Sequence, residues 1–334
     1  MAKAKPKAKA RTKAKTFPRV TLFVPGEPGS VRAWNTALRG GKLAIERGKL
    51  AGKGVKARVD VEWVANDGHF GKAFAFGTVI PEDVAAIDAA PGALVLHWHV
   101  DLRDGRKEIL SVVERLEDAG ALAVRVEQSK LGWEIAQWIE LLSSANGADH
   151  HRAVVTFLGE EEALQSCGMH AFSLPDVYAT IDGDAGALQE LATTLNVYQL
   201  TEDPAILSGH TFRPDVETPR RVVDRWPDTQ YPPDHACHNP YGVWRLGPPG
   251  GTARDVDDVV PVFVPSLAAV LTALEKKHGK PLTKKQVESA RDGGACIAMT
   301  VPDLQKLERS RGYADLDPEF AWEQWKLVRK SRAA

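Results

Sequence analysis

The sequence predicts an α+β fold: a mainly antiparallel sheet covered by helices in two loosely related halves over 18–250, then a small all-helical module over 251–334. Three observations carry this expectation. Apolar strands flank an amphipathic helix between Ala93 and Val126, the pattern of a crossover unit. A similar alternation of strand and helix returns between Ala153 and Asp224. Pro227, Pro232, Pro233, Pro240, Pro248 and Pro249 then exclude regular helix and mark a long loop, with a domain edge near 250.

Taken in order, Arg19 to Val24 reads as a buried strand ended by Pro25-Gly26. Gly41 to Gly54 is rich in glycine and lysine and reads as an exposed helix or a loop. Ala57 to Val64 alternates like a half-buried strand. Asn66-Asp67-Gly68 supplies hairpin chemistry, with Phe70 to Val79 as the return strand. Pro81-Glu82-Asp83 opens a short helix, because proline and acids suit a first turn. Ala93 to Val100 is a strand. Asp104 to Gly120 is a helix with Ile109, Val112, Val113 and Leu116 on one face, and Ala121 to Val126 is the strand beside it. Trp133 to Leu142 is a helix ended at Asn146-Gly147.

In the second half, Ala153 to Leu158 and Phe172 to Ile181 read as strands and Ala185 to Leu200 as a helix. Ile206 to Phe212 and Arg220 to Asp224 are short strands. Beyond 262, Pro265-Ser266 starts a helix that Gly279 stops. Thr283-Lys284-Lys285-Gln286 is a capping box. Two more helices cover Val301 to Arg309 and Pro318 to Arg329, the last with Asp317 as N-cap.

Composition sets the class. With 334 residues, 43% apolar and 26% charged, the chain is an ordinary globular protein large enough for two domains. No apolar run nears the roughly 20 residues that span a bilayer, so no membrane association is expected. Cys167, Cys237 and Cys296 are odd in number and widely spaced, which disfavours a disulfide framework and fits a reducing, cytoplasmic setting. The net charge of −1 hides an asymmetry. Lys3, Lys5, Lys7, Lys9, Arg11, Lys13 and Lys15 make residues 1–17 a basic tail, and taking those seven cations away leaves a body of −8. Such an alternation of alanine and lysine has no face to bury and reads as a disordered tail. It suits weak, non-specific contact with nucleic-acid phosphates and cannot read bases.

Two clusters suit a metal. In His97-Trp98-His99-Val100-Asp101 strand alternation would set His97, His99 and Asp101 on one face, a set apt for zinc or a non-haem metal. Leu102 stands where an HxHxDH hydrolase has its next histidine. In the proline-rich loop, His235, Cys237 and His238 are a second zinc candidate, which His150-His151 would complete if the fold brought them together. The alternative is that these histidines are ordinary polar-face residues. Cys167 with His170 offers a thiol and a base, at a spacing that fixes no catalytic geometry. Cys296 reads as a buried residue in an apolar helix over Ala295 to Met299. Asp182, Asp184, Asp255, Asp257 and Asp258 sit in capping or linker contexts, and no phosphate-binding glycine loop is present.

The run Cys167-Gly168-Met169-His170-Ala171-Phe172-Ser173-Leu174-Pro175-Asp176-Val177, followed by a helix and Ser208-Gly209-His210-Thr211, resembles the bacterial domain of unknown function four-two-six-one over about 90–250. Members of that family carry a Gly-Met/Leu-x-x-Phe-x-Leu-Pro-Asp/Glu-like run, then a helix, then a Gly-x-Thr turn. Where Gly-Asp-Thr-Gly is typical, this chain has His210 and Phe212. Lys280 to Thr283, Arg311 to Pro318, Trp322 and Trp325 resemble a small helical module of similar bacterial proteins. The resemblance implies a fold and no chemistry.

Lacking a convincing nucleophile, cofactor loop or complete ligand set, the sequence favours a non-enzymatic module that binds another protein, for example beside a toxin or secretion system. Aromatic candidates for such a surface are Trp133, Trp138, Trp226, Tyr231, Trp322 and Trp325, of which Trp133 and Trp138 also suit a core. No cofactor is called for apart from zinc on the histidine clusters. The alternatives are a metal-dependent hydrolase built on His97, His99 and Asp101, and a nucleic-acid-associated protein held by its tail.

Overall fold

A computed structural model describes residues 20–160, 162–253 and 259–333. The tail cations, Asp255, Asp257 and Asp258 lie outside the described residues. The first part runs β1 (Val20–Gly26), α1 (Val31–Ala37), β2 (Leu43–Glu46), β3 (Lys49–Gly52), β4 (Val59–Ala65), α2 (Pro81–Ala89), β5 (Gly92–Trp98), α3 (Leu102–Glu117), β6 (Val124–Val126), β7 (Leu131–Trp133), α4 (Ile135–Ser143) and α5 (Gly147–Val154). Its strands form one sheet in the order β2-β3-β4-β5-β1-β6-β7. Every β1 residue is buried, as a continuous apolar run in a central strand should be. Both β5 and β6 pair antiparallel with β1. The crossover helix α3 therefore passes over β1, whereas the sequence suggested that it joins neighbouring strands.

One face of this sheet meets the helices. Leu22, Val24, Leu94, Leu96 and Trp98 share a core with Ile109, Val112, Val113 and Leu116 of α3 and with Trp138 of α4. At about 25 cal/mol per Å² of buried apolar surface, this is the main source of stability. The other face is only half covered, where Phe23 meets Phe70, Phe74 and Ile87.

Two local expectations fail in this part. Gly41–Gly54 is neither helix nor loop but the β2–β3 hairpin, with Leu43, Ile45 and Leu50 buried. Arg47 (φ 50°) and Gly48 (φ 72°) give it the left-handed turn that hairpins need. Phe70–Val79 is not a return strand. Phe70 and Phe74, four residues apart, flank a single 3-10 turn over Gly71–Phe74 and pack on Phe23, with ring centroids at 4.9 and 6.2 Å. The partner of β4 is instead β5.

The second part runs β8 (Thr156–Glu160), β9 (Ala163–Cys167), β10 (Asp176–Thr180), α6 (Ala185–Glu202), β11 (Thr211–Phe212), β12 (Arg221–Trp226) and β13 (Val243–Leu246). The order is β11-β12-β13-β10-β9-β8, with β10 and β13 parallel. The strand expected from Ala153 starts later, because Ala153 and Val154 finish α5. The one expected from Phe172 is preceded by a 3-10 turn over Met169–Phe172. Strand β13 lies inside the segment expected to be loop. The prolines stop at Pro240 and resume at Pro248, which leaves a proline-free stretch in which Val243 and Trp244 pair with β10 and β12.

The C-terminal module comprises β14 (Val259–Phe263), α7 (Leu267–His278), α8 (Lys284–Asp292), β15 (Cys296–Thr300), α9 (Val301–Arg311) and α10 (Ala321–Ala333). It is not all-helical, since β14 and β15 pair antiparallel over five residues each. Cys296 is accordingly an exposed strand residue rather than a buried helical one. The Thr283–Gln286 capping box forms as expected. The last helix begins at Ala321, with Asp317 accepting from the Glu319 N–H at 2.9 Å in the turn before it.

The module docks on the second sheet. Arg225 and Glu308 form an ion pair at 3.2 Å, Trp226 meets Phe320 at 5.6 Å, and the Ala314 N–H donates to the Pro240 carbonyl at 2.9 Å. Among the described residues no helix is long and apolar enough to cross a membrane.

Candidate functional site

A cleft of about 1030 Å³ lies between the uncovered half of the first sheet, the loop 227–242 and the C-terminal module. Thr21, Val95, His97, His99 and Glu127 form its sheet wall. His170 and residues 227–242 form the second wall, and α7, residues 310–316 and α10 the third. The cleft exists because β1, β5 and β6 turn one set of alternate side chains toward α3 and the other set away from it. Next to the Phe23 cluster the outward set is polar and uncapped.

His97, His99, His170, His235 and His238 all line this space, and His150 and His151 do not. His97 Nδ1 is 3.1 Å from the Thr21 hydroxyl, and burial lowers its pKa. His99 Nε2 donates to Asp60 at 2.8 Å, and Nδ1 is buried without a partner among the described residues. The hydrogen bond from Arg58 is the main reason that the Asp60 carboxyl is more acidic than usual. Asp101 is elsewhere. Strand pairing ends at Trp98, and Asp101 caps α3 by accepting from the Arg103 N–H at 2.9 Å while pairing with its guanidinium at 3.2 Å. The alternation that would have grouped His97, His99 and Asp101 stops at Trp98, three residues short of Asp101.

The loop residues also diverge. His235 stacks on Tyr231 at 4.5 Å, and its Nδ1 accepts from the Cys237 N–H at 3.2 Å. His238 Nδ1 donates to the Tyr231 carbonyl at 3.1 Å. Cys237 is not among the lining residues; its carbonyl lies 3.6 Å from Cys167 Sγ and its own Sγ 3.9 Å from the Glu127 carbonyl. His150 bonds the Ser144 carbonyl at 2.7 Å, and buried His151 lies 3.2 Å from Asn196. Among the described residues no group of three or more His, Cys, Asp or Glu side chains is placed to hold a metal ion.

His170 is the most constrained of the five. It is buried, its Nε2 donates to the Ala236 carbonyl at 3.1 Å, and its Nδ1 has no partner among the described residues. Burial drops its pKa to about 4, so at neutral pH the ring is uncharged. It does not act on Cys167 as a base: the Cys167 thiol sits 2.9 Å from the Gln128 carbonyl.

A buried polar network, which the sequence did not announce, fixes the loop. Asp176 accepts from the Ser166 hydroxyl (2.9 Å), the Met169 N–H (3.2 Å) and Asn239 Nδ2 (2.6 Å). Asp228 accepts from Gln165 Nε2 (3.2 Å), the Gln230 N–H (3.0 Å) and the Asn239 N–H (2.8 Å). Asn239 thus bridges both carboxylates. Burial raises the Asp176 pKa to about 7 against the pull of its donors. The motif Gly168 to Asp176 is therefore structural. Met169, Phe172 and Leu174 are core, and Gly168 has φ 128°, where a Cβ would lie 2.4 Å from the Val154 carbonyl oxygen.

The chain matches no family model, no curated protein and no solved structure. Of the six aromatic surface candidates, Trp133, Trp138 and Trp325 are buried, while Trp226, Tyr231 and Trp322 keep partial exposure. Only Trp226 lines the cleft. In the Ser208-Gly209-His210-Thr211 turn, Ser208 accepts from the Arg225 N–H at 2.9 Å and His210 from the Leu207 N–H at 3.3 Å. Both serve the chain's own geometry.

Proposed function

We propose that this protein is an interaction module whose cleft holds an extended peptide segment of a partner protein and performs no chemistry on it. The size and make-up of the cleft carry this reading. Three separate parts of the chain enclose about 1030 Å³, at the upper end of what small-molecule sites use. The α7 wall presents Ala269 and Ala273, which leave room for a chain. Lys276 and Arg332 line the module side, with Glu127 and Asp234 on the other walls, so both signs of charge are available to a peptide. The metal-hydrolase alternative is weakened by the occupation of Asp101 in capping α3 and by the separate orientations of His235, Cys237 and His238. The resemblance to the domain of unknown function four-two-six-one adds no chemistry, since Met169, Phe172 and Leu174 of the resembling run are core.

Panning a random peptide library on the purified protein tests the reading. Enriched peptides are expected to lose at least about 10-fold in affinity, some 1.4 kcal/mol, when Ala269→Trp and Ala273→Trp fill the cleft. Peptides that bind the filled variant equally well, or a library that yields none, would overturn it.

A further inference from the structure

Cys167 ends β9 and Cys237 sits in the middle of the cleft's loop wall, separated by 70 residues of chain. Both are buried, and the fold brings them together. Cys167 Sγ lies 2.9 Å from the Gln128 carbonyl and 3.6 Å from the Cys237 carbonyl. Cys237 Sγ lies 3.9 Å from the adjoining Glu127 carbonyl, so both thiols sit against the same stretch of backbone. Neighbouring contacts hold the pair in register. His170, three residues after Cys167, donates to the carbonyl of Ala236, and His235 accepts from the Cys237 N–H. We propose that Cys167 and Cys237 are a modification site, a dithiol that a hydroperoxide converts reversibly into a disulfide, which fastens the loop 227–242 to the end of β9.

The two sulfurs have different roles. The neighbouring Cys167 thiol lowers the Cys237 pKa, and Cys237 in turn raises that of Cys167, so Cys237 supplies the thiolate. It attacks one peroxide oxygen, the O–O bond breaks, and the departing hydroxide takes a proton to leave as water. The Cys167 sulfur then attacks the Cys237 sulfenic acid. The S–S bond forms, the S–O bond breaks, and the Cys167 proton leaves with the second water. Two thiols and one hydrogen peroxide thus give one disulfide and two waters. A dithiol reductant reverses the reaction by two exchange steps. Disulfide formation does not depend on the cleft being a peptide site; only its effect on entry to the cleft rests on that reading.

The test uses the full chain. Exposed Cys296 should react first with a bulky thiol reagent and the other two slowly. After stoichiometric hydrogen peroxide, proteolysis and mass spectrometry should find one peptide linking Cys167 to Cys237, two hydrogens lighter and reversed by dithiothreitol. The Cys296→Ser variant should give the same linked peptide. Closing a loop of this length should raise Tm by about 5–10 °C. Sulfinic acid on either cysteine without a link, a linkage only through Cys296, or a lower Tm in the linked protein would overturn the proposal. Loss of peptide affinity in the filled-cleft variant has no bearing on this result, so the two ideas fail separately.

Discussion

The two large sheets are held by different means. The seven-stranded sheet packs Leu22, Leu94, Leu96 and Trp98 against α3 in an apolar core. The six-stranded sheet has its own apolar cluster around Val177, Leu195 and Trp244, but its junction with the loop 227–242 is polar. Asp176, Asp228, Asn239, Gln165 and Ser166 are all buried there. Apolar packing depends on volume and not on pH, whereas a buried network depends on every donor and on protonation. One region should tolerate exchange of like for like, and the other should not.

The sharpest way to break this contrast is Asp176→Ala. It strands the Ser166 hydroxyl, the Met169 N–H and Asn239 without an acceptor, for an expected loss of about 3–5 kcal/mol in urea unfolding. A loss under about 1 kcal/mol would mean that the network does not hold the loop. Leu96→Ala in the first sheet should cost about 3 kcal/mol through a cavity and leave the pH dependence of stability unchanged; an altered pH profile would blur the distinction.

The pH profile itself is the third measure. Asp176 is held near 7 in the fold against 3.8 in the open chain. Between those values the folded state binds the extra proton, so stability from this group is lost as pH rises toward 7. His151 and His170 are held near 4 against 6.5. There the unfolded state binds the extra protons, and stability is lost as pH falls from 6.5 toward 4. Two histidines outweigh one aspartate on the acid side, which places the optimum near pH 6.5, with about 2–4 kcal/mol at stake per group. Unfolding curves of Asp176→Asn should keep the acid-side fall and lose the decline from 6.5 to 7. The smallest effect belongs to the C-terminal module, where Thr283→Ala removes half of a capping box and should cost about 1 kcal/mol. No measurable change in the module's hydrogen exchange would show that α8 is fixed by packing alone.

These sheets were also unequally legible in the sequence. Val20 to Gly26, Gly92 to Trp98 and Leu102 to Glu117 carry clear apolar periods, and the structure has them nearly as read. The hairpin over Leu43–Gly52 escaped because its alternation spans only three buried residues among lysines and glycines. Strand β13 escaped because prolines flank it on both sides. His97 and His99 were visible as a pair and do share the cleft. Asp101 was misplaced because the three irregular residues between Trp98 and Leu102 move its side chain from a sheet face to a helix cap. Asn239 and the pairing of Cys167 with Cys237 join segments distant in sequence, and no local period announces such contacts.

One feature of the first sheet bears on how the molecule is made. Strand β1 sits between β5 and β6, so during translation one of its edges has no partner until β5 is made, about 65 residues later, and the other none until β6, about 100 residues later. Long-range closure of that kind is slow and leaves sticky backbone open. Nascent chains stopped before Val126 should depend on a chaperone for solubility, and full-length chains should not.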